Sequence, residues 1–245
     1  MITRYMMTIE AAADHPLHAD AAYRLYAFIL EQLSNEDAQW LHEEGSKAVS
    51  QYIRFDKGAG VYLWTVNILT EQTAQVLDPV LHSCQLVRIY DREFRITEKK
   101  RETVTLDQIL ERGKNMTGNR SRIAFQSPTA FKQGGRYTFF PQERLILQSL
   151  IMRWNLAFPN CMLQDEDAFH AMLAGIHIVD YRMRSTRFLL KGVRIPSFIG
   201  TCDLEAKLAL PLLELWHTLV AFSAYAGVGI KSGLGMGGVE PIIPV

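Results

Sequence analysis

The chain predicts an α+β fold of two tandem ferredoxin-like (RRM-like) domains, closed by a C-terminal Gly-rich loop. Three observations carry this. The element order β-α-(α)-β-β-α-β runs from Tyr5 to Lys99 and is that of a ferredoxin-like unit. A polar stretch, Gly113 to Arg120, separates it from a second run readable as a decorated β-α-β-β-α-β. The 245 residues are 48% hydrophobic and 21% charged, enough apolar material for two small cores. The expected domains are 1–112 and 121–245, alike in element order but not in sequence. Such folds host many functions, so the activity must come from particular residues.

Residues 5–12 read as an opening strand. Asp20 is placed to cap a helix that sets Ala22, Leu25, Ile29 and Leu33 on one face at 3.6-residue spacing. Ser34 with Asp37 resembles a capping box for a second helix that Gly45 ends, just after His42. Val49–Phe55 and Val61–Leu69 are two strands around a turn at Asp56-Lys57-Gly58. Glu71–Leu81 is a helix, and Gln85–Lys99 a strand pair or one long strand. Thr105–Arg112 is a short helix. Beyond the boundary, Arg122–Gln126 is a strand, Pro141–Leu156 a helix with Leu145, Gln148/Ser149, Met152 and Leu156 on one face, and Glu166–Ala174 another helix. Ile176–Met183 and Arg187–Phe198 are strand-like around a tip at Lys191-Gly192. Pro211 starts a final helix with Leu212, Leu215, Leu219 and Phe222 as its stripe. Alternation assigns Tyr137, Phe139 and Phe140 to a strand core rather than to stacking on bases.

Composition narrows the function. No apolar stretch approaches the ~20 residues of a membrane span, and Met1-Ile2-Thr3-Arg4-Tyr5 lacks a signal-peptide apolar core. Cys84, Cys161 and Cys202 are odd in number and scattered, which reads as reduced core thiols in a cytoplasmic protein. No metal site and no cofactor are expected: His15 and His18 flank a proline with no cysteine nearby. Formal net charge is zero, but its distribution is uneven. Residues 1–87 carry −6 and residues 88–200 carry +8. Arg182, Arg184, Arg187, Lys191 and Arg194 fall in thirteen residues without an acid, a stripe able to follow a phosphate backbone or simply to form a solvated strand face. His82, His170, His177 and His217 lie in periodic segments and read as structural.

The chain ends in Gly227-Val228-Gly229-Ile230-Lys231-Ser232-Gly233-Leu234-Gly235-Met236-Gly237-Gly238, six glycines and a lysine in twelve residues. Glycine lets backbone N–H groups approach an anion, and a lysine adds counter-charge. A mononucleotide P-loop fails on spacing, because Lys231-Ser232 follows Gly229 after one residue. A dinucleotide fingerprint at Gly233, Gly235 and Gly238 fails because only Val239–Val245 follow, with Pro241 and Pro244. A nucleic-acid backbone remains, beside a plain turn into a last strand.

Ser127-Pro128-Thr129-Ala130-Phe131-Lys132, then Pro141 and the helix ending Arg153-Trp154-Asn155, then Ile199-Gly200, then Ala226 through Gly237 occur in order, with Tyr23-Arg24-Leu25-Tyr26 and Leu41-His42 before them. The chain in this respect resembles the CRISPR-associated endoribonucleases that cut the repeats of precursor CRISPR RNA, members of the repeat-associated mysterious protein (RAMP) superfamily. The resemblance spans nearly the whole sequence. It implies two ferredoxin-like domains with the Gly-rich loop near their junction, binding of CRISPR repeat RNA, and metal-independent cleavage that leaves a 2′,3′-cyclic phosphate.

That chemistry needs a base for the 2′-OH, charge stabilisation for the phosphorane and an acid for the leaving 5′-oxygen. The resemblance implies His42 as the catalytic histidine, at a helix C-terminus whose carbonyl dipoles favour a cation and so suit a general acid. Lys47 is implied as the charge stabiliser and Tyr26, with Tyr23 as rival, as base or orienting group. Glu43 and Glu44 beside His42 are an ill-suited setting for a polyanion. RNA contacts are expected from Arg182, Arg184, Arg187, Lys191 and Arg194 and from Gly227, Gly229, Lys231, Ser232, Gly233 and Gly235. CRISPR effector-complex proteins and a second copy of the chain are further candidate partners; a membrane is not. Two rival readings are a repeat-binding subunit without cleavage, and an unrelated enzyme holding a nucleotide in the Gly-rich loop.

Overall fold

The computed structural model describes residues 1–10 and 16–242, so the expected strand end at 11–12, His15 and Pro244 lie outside the described residues. The first half forms a five-stranded antiparallel sheet in the order β2-β3-β1-β5-β4. Its strands are β1 (Ile2–Ile9), β2 (Val49–Asp56), β3 (Val61–Ile68), β4 (Leu86–Ile89) and β5 (Arg92–Val104), with helices α1 (Ala21–Glu31), α2 (Asn35–Glu43) and α3 (Glu71–Ser83). The second half forms a four-stranded antiparallel sheet, β11-β6-β10-β9. Its strands are β6 (Arg120–Thr129), β9 (Ile176–Leu190), β10 (Val193–Ala206) and β11 (Val239–Ile242). Helix α4 (Leu106–Lys114) links the halves; α5 (Glu143–Ala157), α6 (Glu166–Gly175) and α7 (Leu210–Ala226) cover the second sheet, and β7 (Phe131–Gln133) and β8 (Arg136–Thr138) form a separate small hairpin. In each main sheet the first strand lies between the third and the last, the ferredoxin-like arrangement.

Apolar alternation decides which faces close. Tyr5, Met7, Ile9 and Trp64 bury against Leu25, Ile29, Leu77 and Leu81. Ile123, Phe125, Cys202 and Leu204 bury against Leu150, Trp154, Trp216, Leu219 and Phe222. The halves share material, since Ile2, Leu69, Val104 and Ile109 belong to the second cluster. Gly113 explains how closely α4 meets α7: a Cβ there would lie 2.7 Å from the Thr218 Cα.

Several expectations are corrected. The Asp20 side chain makes no cap bond, and its αR backbone continues the helical turn instead of breaking it. Gly113, Lys114 and Arg120 belong to regular elements, which leaves a shorter connection than the polar composition suggests. Gln85–Lys99 is a strand pair, and the second strand runs on to Val104. β9 and β10 extend well past the expected ends, but Lys191-Gly192 is the tip; both have positive φ (49° and 82°), the geometry of a two-residue hairpin turn. Of the cysteines only Cys202 is buried, with its thiol pushed up to about 12 by burial; Cys161 is exposed. No described helix is long and apolar enough to cross a membrane.

Candidate active site

A cleft of about 620 Å³ opens where the two halves meet. One wall comes from the first half. Ser34 caps α2 by accepting the Asp37 N–H at 3.1 Å, and Glu36 and Asp37 complement the helix start, so the far end carries His42. The chain then tightens into a 3₁₀ turn, Gly45–Ala48, which holds Lys47. A Cβ at Gly45 would lie 2.7 Å from the Leu41 side chain, so a larger residue would force Leu41 and Trp40 to shift as the turn folds back on α2. His42, Ser46 and Lys47 line the cleft; Glu43 and Glu44 do not, which removes the conflict between that acidic pair and a polyanion.

Tyr26 of α1 is a buried residue of the lining of the same cleft, whereas Tyr23 packs in a seam with Phe188, Leu190, Ile195 and Met236. The Tyr26 side chain is 2% exposed, and its hydroxyl is buried with no hydrogen-bond partner among the described residues. Burial pushes this phenol up to about 12. A phenol so placed keeps its proton at neutral pH and acts as a donor, which speaks for an orienting group rather than a base.

The opposite wall is the Gly-rich loop with α5. Most loop N–H groups are committed inside the protein: Val228 to Gly237 O (2.8 Å), Ile230 to Ala130 O (3.0 Å), Gly237 to Pro128 O (3.1 Å), Gly229 to Ser149 Oγ (2.8 Å) and Gly238 to Ser127 Oγ (2.9 Å). The glycines therefore serve close packing first; a Cβ on Gly229 or Gly235 would run into Ala130 O or the Ala22 side chain. Buried Gln51 fixes the loop to α1 by donating to Gly233 O (3.0 Å) and Ala22 O (2.8 Å), and itself accepts from the Trp64 indole (2.7 Å). What remains is local. The N–H groups of Lys231, Ser232 and Gly233, at the start of a 3₁₀ turn, have no acceptor among the described residues, and the three residues belong to the cleft lining. Lys231 holds a left-handed backbone (φ 57°), a strain that a non-glycine residue keeps only where the surroundings enforce it.

Helix α5 joins the walls. The face expected to carry Leu145, Gln148/Ser149, Met152 and Leu156 together lines the cleft; Leu145 is also buried in the core, whereas Met152 is 73% exposed. From this helix Arg153 reaches across to donate to Lys47 O (2.6 Å) and Val49 O (2.9 Å), while Ser149 accepts from Gly229. Burial lowers the Arg153 guanidinium to about 10, so it stays cationic. Lys132 completes the lining. Among the described residues none of Lys47, Lys132 and Lys231 forms an ion pair. The cleft thus presents a histidine, four cations, a phenol and free N–H donors with no lining carboxylate, an arrangement that binds a phosphodiester and stabilises charge developing on it.

The structure brings Tyr26, His42 and Lys47 together with Gly229, Lys231, Ser232 and Gly233. Gly227 and Gly235 are buried loop supports. Arg182, Arg184, Arg187, Lys191 and Arg194 are all exposed on the β9–β10 hairpin, a surface separate from the cleft lining. Sequence reasoning missed Lys132, Ser149 and Arg153 as lining groups; for Ser149 the polar members of the α5 face were the available signal. Among the described residues no cluster of three or more His, Cys, Asp or Glu forms.

Comparison with known proteins returns one family. The family model of the CRISPR-associated endoribonuclease Cas6 matches residues 123–239. The chain is 29% identical over 230 residues to the Cas6 endoribonuclease of Streptococcus thermophilus, covering 93% of each. It is 25% identical to that of Mycobacterium tuberculosis, covering 99% of this chain and 80% of the relative. Among solved structures, a Cas6 product complex superposes with a TM-score of 0.82 at 21% identity (99% and 100% covered), and Thermus thermophilus Cas6 with 0.78 at 21% (99% and 98%).

Proposed function

We propose, for a chain that belongs to the Cas6 family of CRISPR-associated endoribonucleases, that it cleaves CRISPR repeat RNA in precursor transcripts at this cleft, by metal-independent attack of a ribose 2′-OH. The observation that carries the reading is the convergence of His42, Lys47 and Tyr26 on the unpaired N–H groups of Lys231, Ser232 and Gly233. The 2′-oxygen passes its proton to solvent water and bonds to the adjacent phosphorus. The P–O5′ bond breaks, giving a 2′,3′-cyclic phosphate and a 5′-hydroxyl. His42 supplies the proton that the leaving 5′-oxygen takes up. Lys47, Lys231 and the loop N–H donors stabilise the extra phosphorane charge, and Tyr26 donates to a non-bridging oxygen. Arg153 positions Lys47 through its backbone. Residues 1–112 and 121–245 are assigned as the two domains, and the basic β9–β10 hairpin as a second phosphate-binding surface. A binding-only subunit would have no use for a buried, unpartnered phenol in a cleft that a histidine also lines.

The test is a single-turnover reaction of end-labelled repeat RNA, from the CRISPR array of the same host, in excess EDTA. One discrete cut with a cyclic-phosphate end is expected; strict dependence on a divalent cation overturns the mechanism. Tyr26→Phe is expected to slow cleavage roughly 10- to 100-fold. It should leave thermal stability equal or slightly higher, because the deleted hydroxyl is buried and unpaired. A fall in Tm would assign Tyr26 to the fold instead. With the phenol pushed up to about 12, its donor form persists as pH rises and is lost only near that value. Tyr26→Phe should therefore leave the shape of the pH–rate profile over roughly pH 6–9 unchanged. Arg153→Ala is expected to lower the cleavage rate about 100-fold at near-normal RNA affinity, since releasing the Lys47 turn by an ångström is enough. Arg153→Lys, able to hold one carbonyl but not both, should fall between; equal rates for all three proteins would refute the clamp.

A further inference from the structure

The segment after the Ala130-Phe131-Lys132 motif is exposed where alternation assigned it to a core. Tyr137 is 37% exposed, Phe139 50%, Phe140 50% and Tyr181 54%. Other exposed large side chains occur, Phe55 and Tyr90 among them, but these four carry aromatic rings at the end of β8 and on the facing strand β9. The chain path and one ring contact relate the four. Tyr137 stands directly across the β7–β8 hairpin from Lys132, which lines the cleft. Phe139 and Phe140 continue from the end of β8 towards β9, where Phe140 meets Tyr181 edge-on with ring centroids 5.6 Å apart. Exposed Arg136 and Arg182 flank the row in sequence.

We infer that Tyr137, Phe139, Phe140 and Tyr181 form a stacking platform for unpaired bases of the RNA, running from the cleft towards the edge of β9. The inference rests on the proposed reading of the cleft as an RNA site and adds a substrate requirement to it. Every base has a flat π-face, so stacking on Phe or Tyr recognises single-stranded nucleotides without a strong sequence preference. The bases of an A-form duplex are stacked on one another and present no free face, so paired RNA cannot use the platform. The flanking cations supply phosphate contacts, and Lys132 joins the platform to the cleft. Nucleotides on at least one side of the cut must therefore be unpaired when bound.

The test compares wild type with a Phe140→Ala/Tyr181→Ala double variant on two RNAs: the repeat with its unpaired flanks, and a fully paired blunt duplex of the same length. Both substitutions are at exposed positions, so Tm should be retained. Affinity for the flanked repeat is expected to fall roughly 5- to 100-fold. Affinity for the duplex and the salt dependence of binding should stay as in wild type, because no cation is removed. 2-Aminopurine placed singly along the flanks should be quenched by wild type at one or two positions and by the variant at none. Equal affinity loss on both RNAs, or no loss on either, overturns the platform and leaves the patch to a protein partner. If wild type binds but does not cut the repeat, the catalytic reading fails while the affinity comparison still decides the platform. If wild type binds no RNA, both fail.

Discussion

His42→Ala is expected to slow repeat-RNA cleavage by about 10²- to 10⁴-fold, the range a positioned proton donor contributes, while binding changes little. The side chain is exposed at the end of α2, so its removal opens no cavity, and surface substitutions of this kind usually stay within about ±0.5 kcal/mol. Ground-state binding is spread over Lys47, Lys132, Lys231 and the basic hairpin, and losing one neutral or singly charged ring from such a set is a small perturbation. The loss is therefore confined to the transition state, which is the signature of an acid or base rather than of a binding group. A substrate with sulfur in place of the 5′-oxygen separates the two roles. A thiolate leaves without protonation, so the variant should recover most of the wild-type rate on it if His42 is the acid. An undiminished defect on the sulfur substrate would move His42 to the 2′-OH side. Wild-type cleavage by the variant would remove His42 from the chemistry altogether.

What the sequence disclosed, and what it withheld, follows from the range of the interactions involved. Periodicity placed the helices and most strands, since each element's burial pattern is written locally, as in Leu25 and Ile29 or Trp216 and Leu219. The Lys191-Gly192 tip was legible because a two-residue turn with positive φ leaves a local mark. The α5 face shows the limit. Apolar spacing revealed that Leu145, Met152 and Leu156 share a side, but not that this side faces a cleft, which depends on where the first half docks. The same holds for Tyr137, Phe139 and Phe140, whose alternation looks like a core strand until the hairpin is seen to stand off the sheet. The glycine run was read as an anion cradle. The structure uses most of it to pack backbone against backbone at the junction and leaves three N–H groups for a ligand. Arg153 was invisible as a site residue because its partners are carbonyls more than a hundred positions away.

The division of labour inside that loop makes the second large prediction. Gly237 has φ 69°, its N–H donates to Pro128 O at 3.1 Å, its carbonyl accepts from Val228 N at 2.8 Å, and an added Cβ would strike the Val228 carbonyl oxygen. A backbone atom cannot rotate away, so Gly237→Ala combines left-handed strain of about 1–2 kcal/mol with an overpacking cost of about 1–3 kcal/mol. For a chain of this size that lowers Tm by roughly 5–15 °C, with cleavage failing as the loop leaves the wall. Lys231→Gly is the matched opposite. Its φ of 57° is strained for lysine and free for glycine, so the variant should be as stable as wild type or a few degrees more so, the relief being offset in part by greater unfolded-chain entropy. The same change should weaken RNA binding and reduce its log–log salt slope by about 1, as expected for one lost phosphate contact. Calorimetry and salt-titrated binding on the two variants thus separate a glycine kept for packing from a lysine kept, at a cost in stability, for the ligand. A destabilised Lys231→Gly with an unchanged salt slope would show that the lysine, too, belongs to the scaffold.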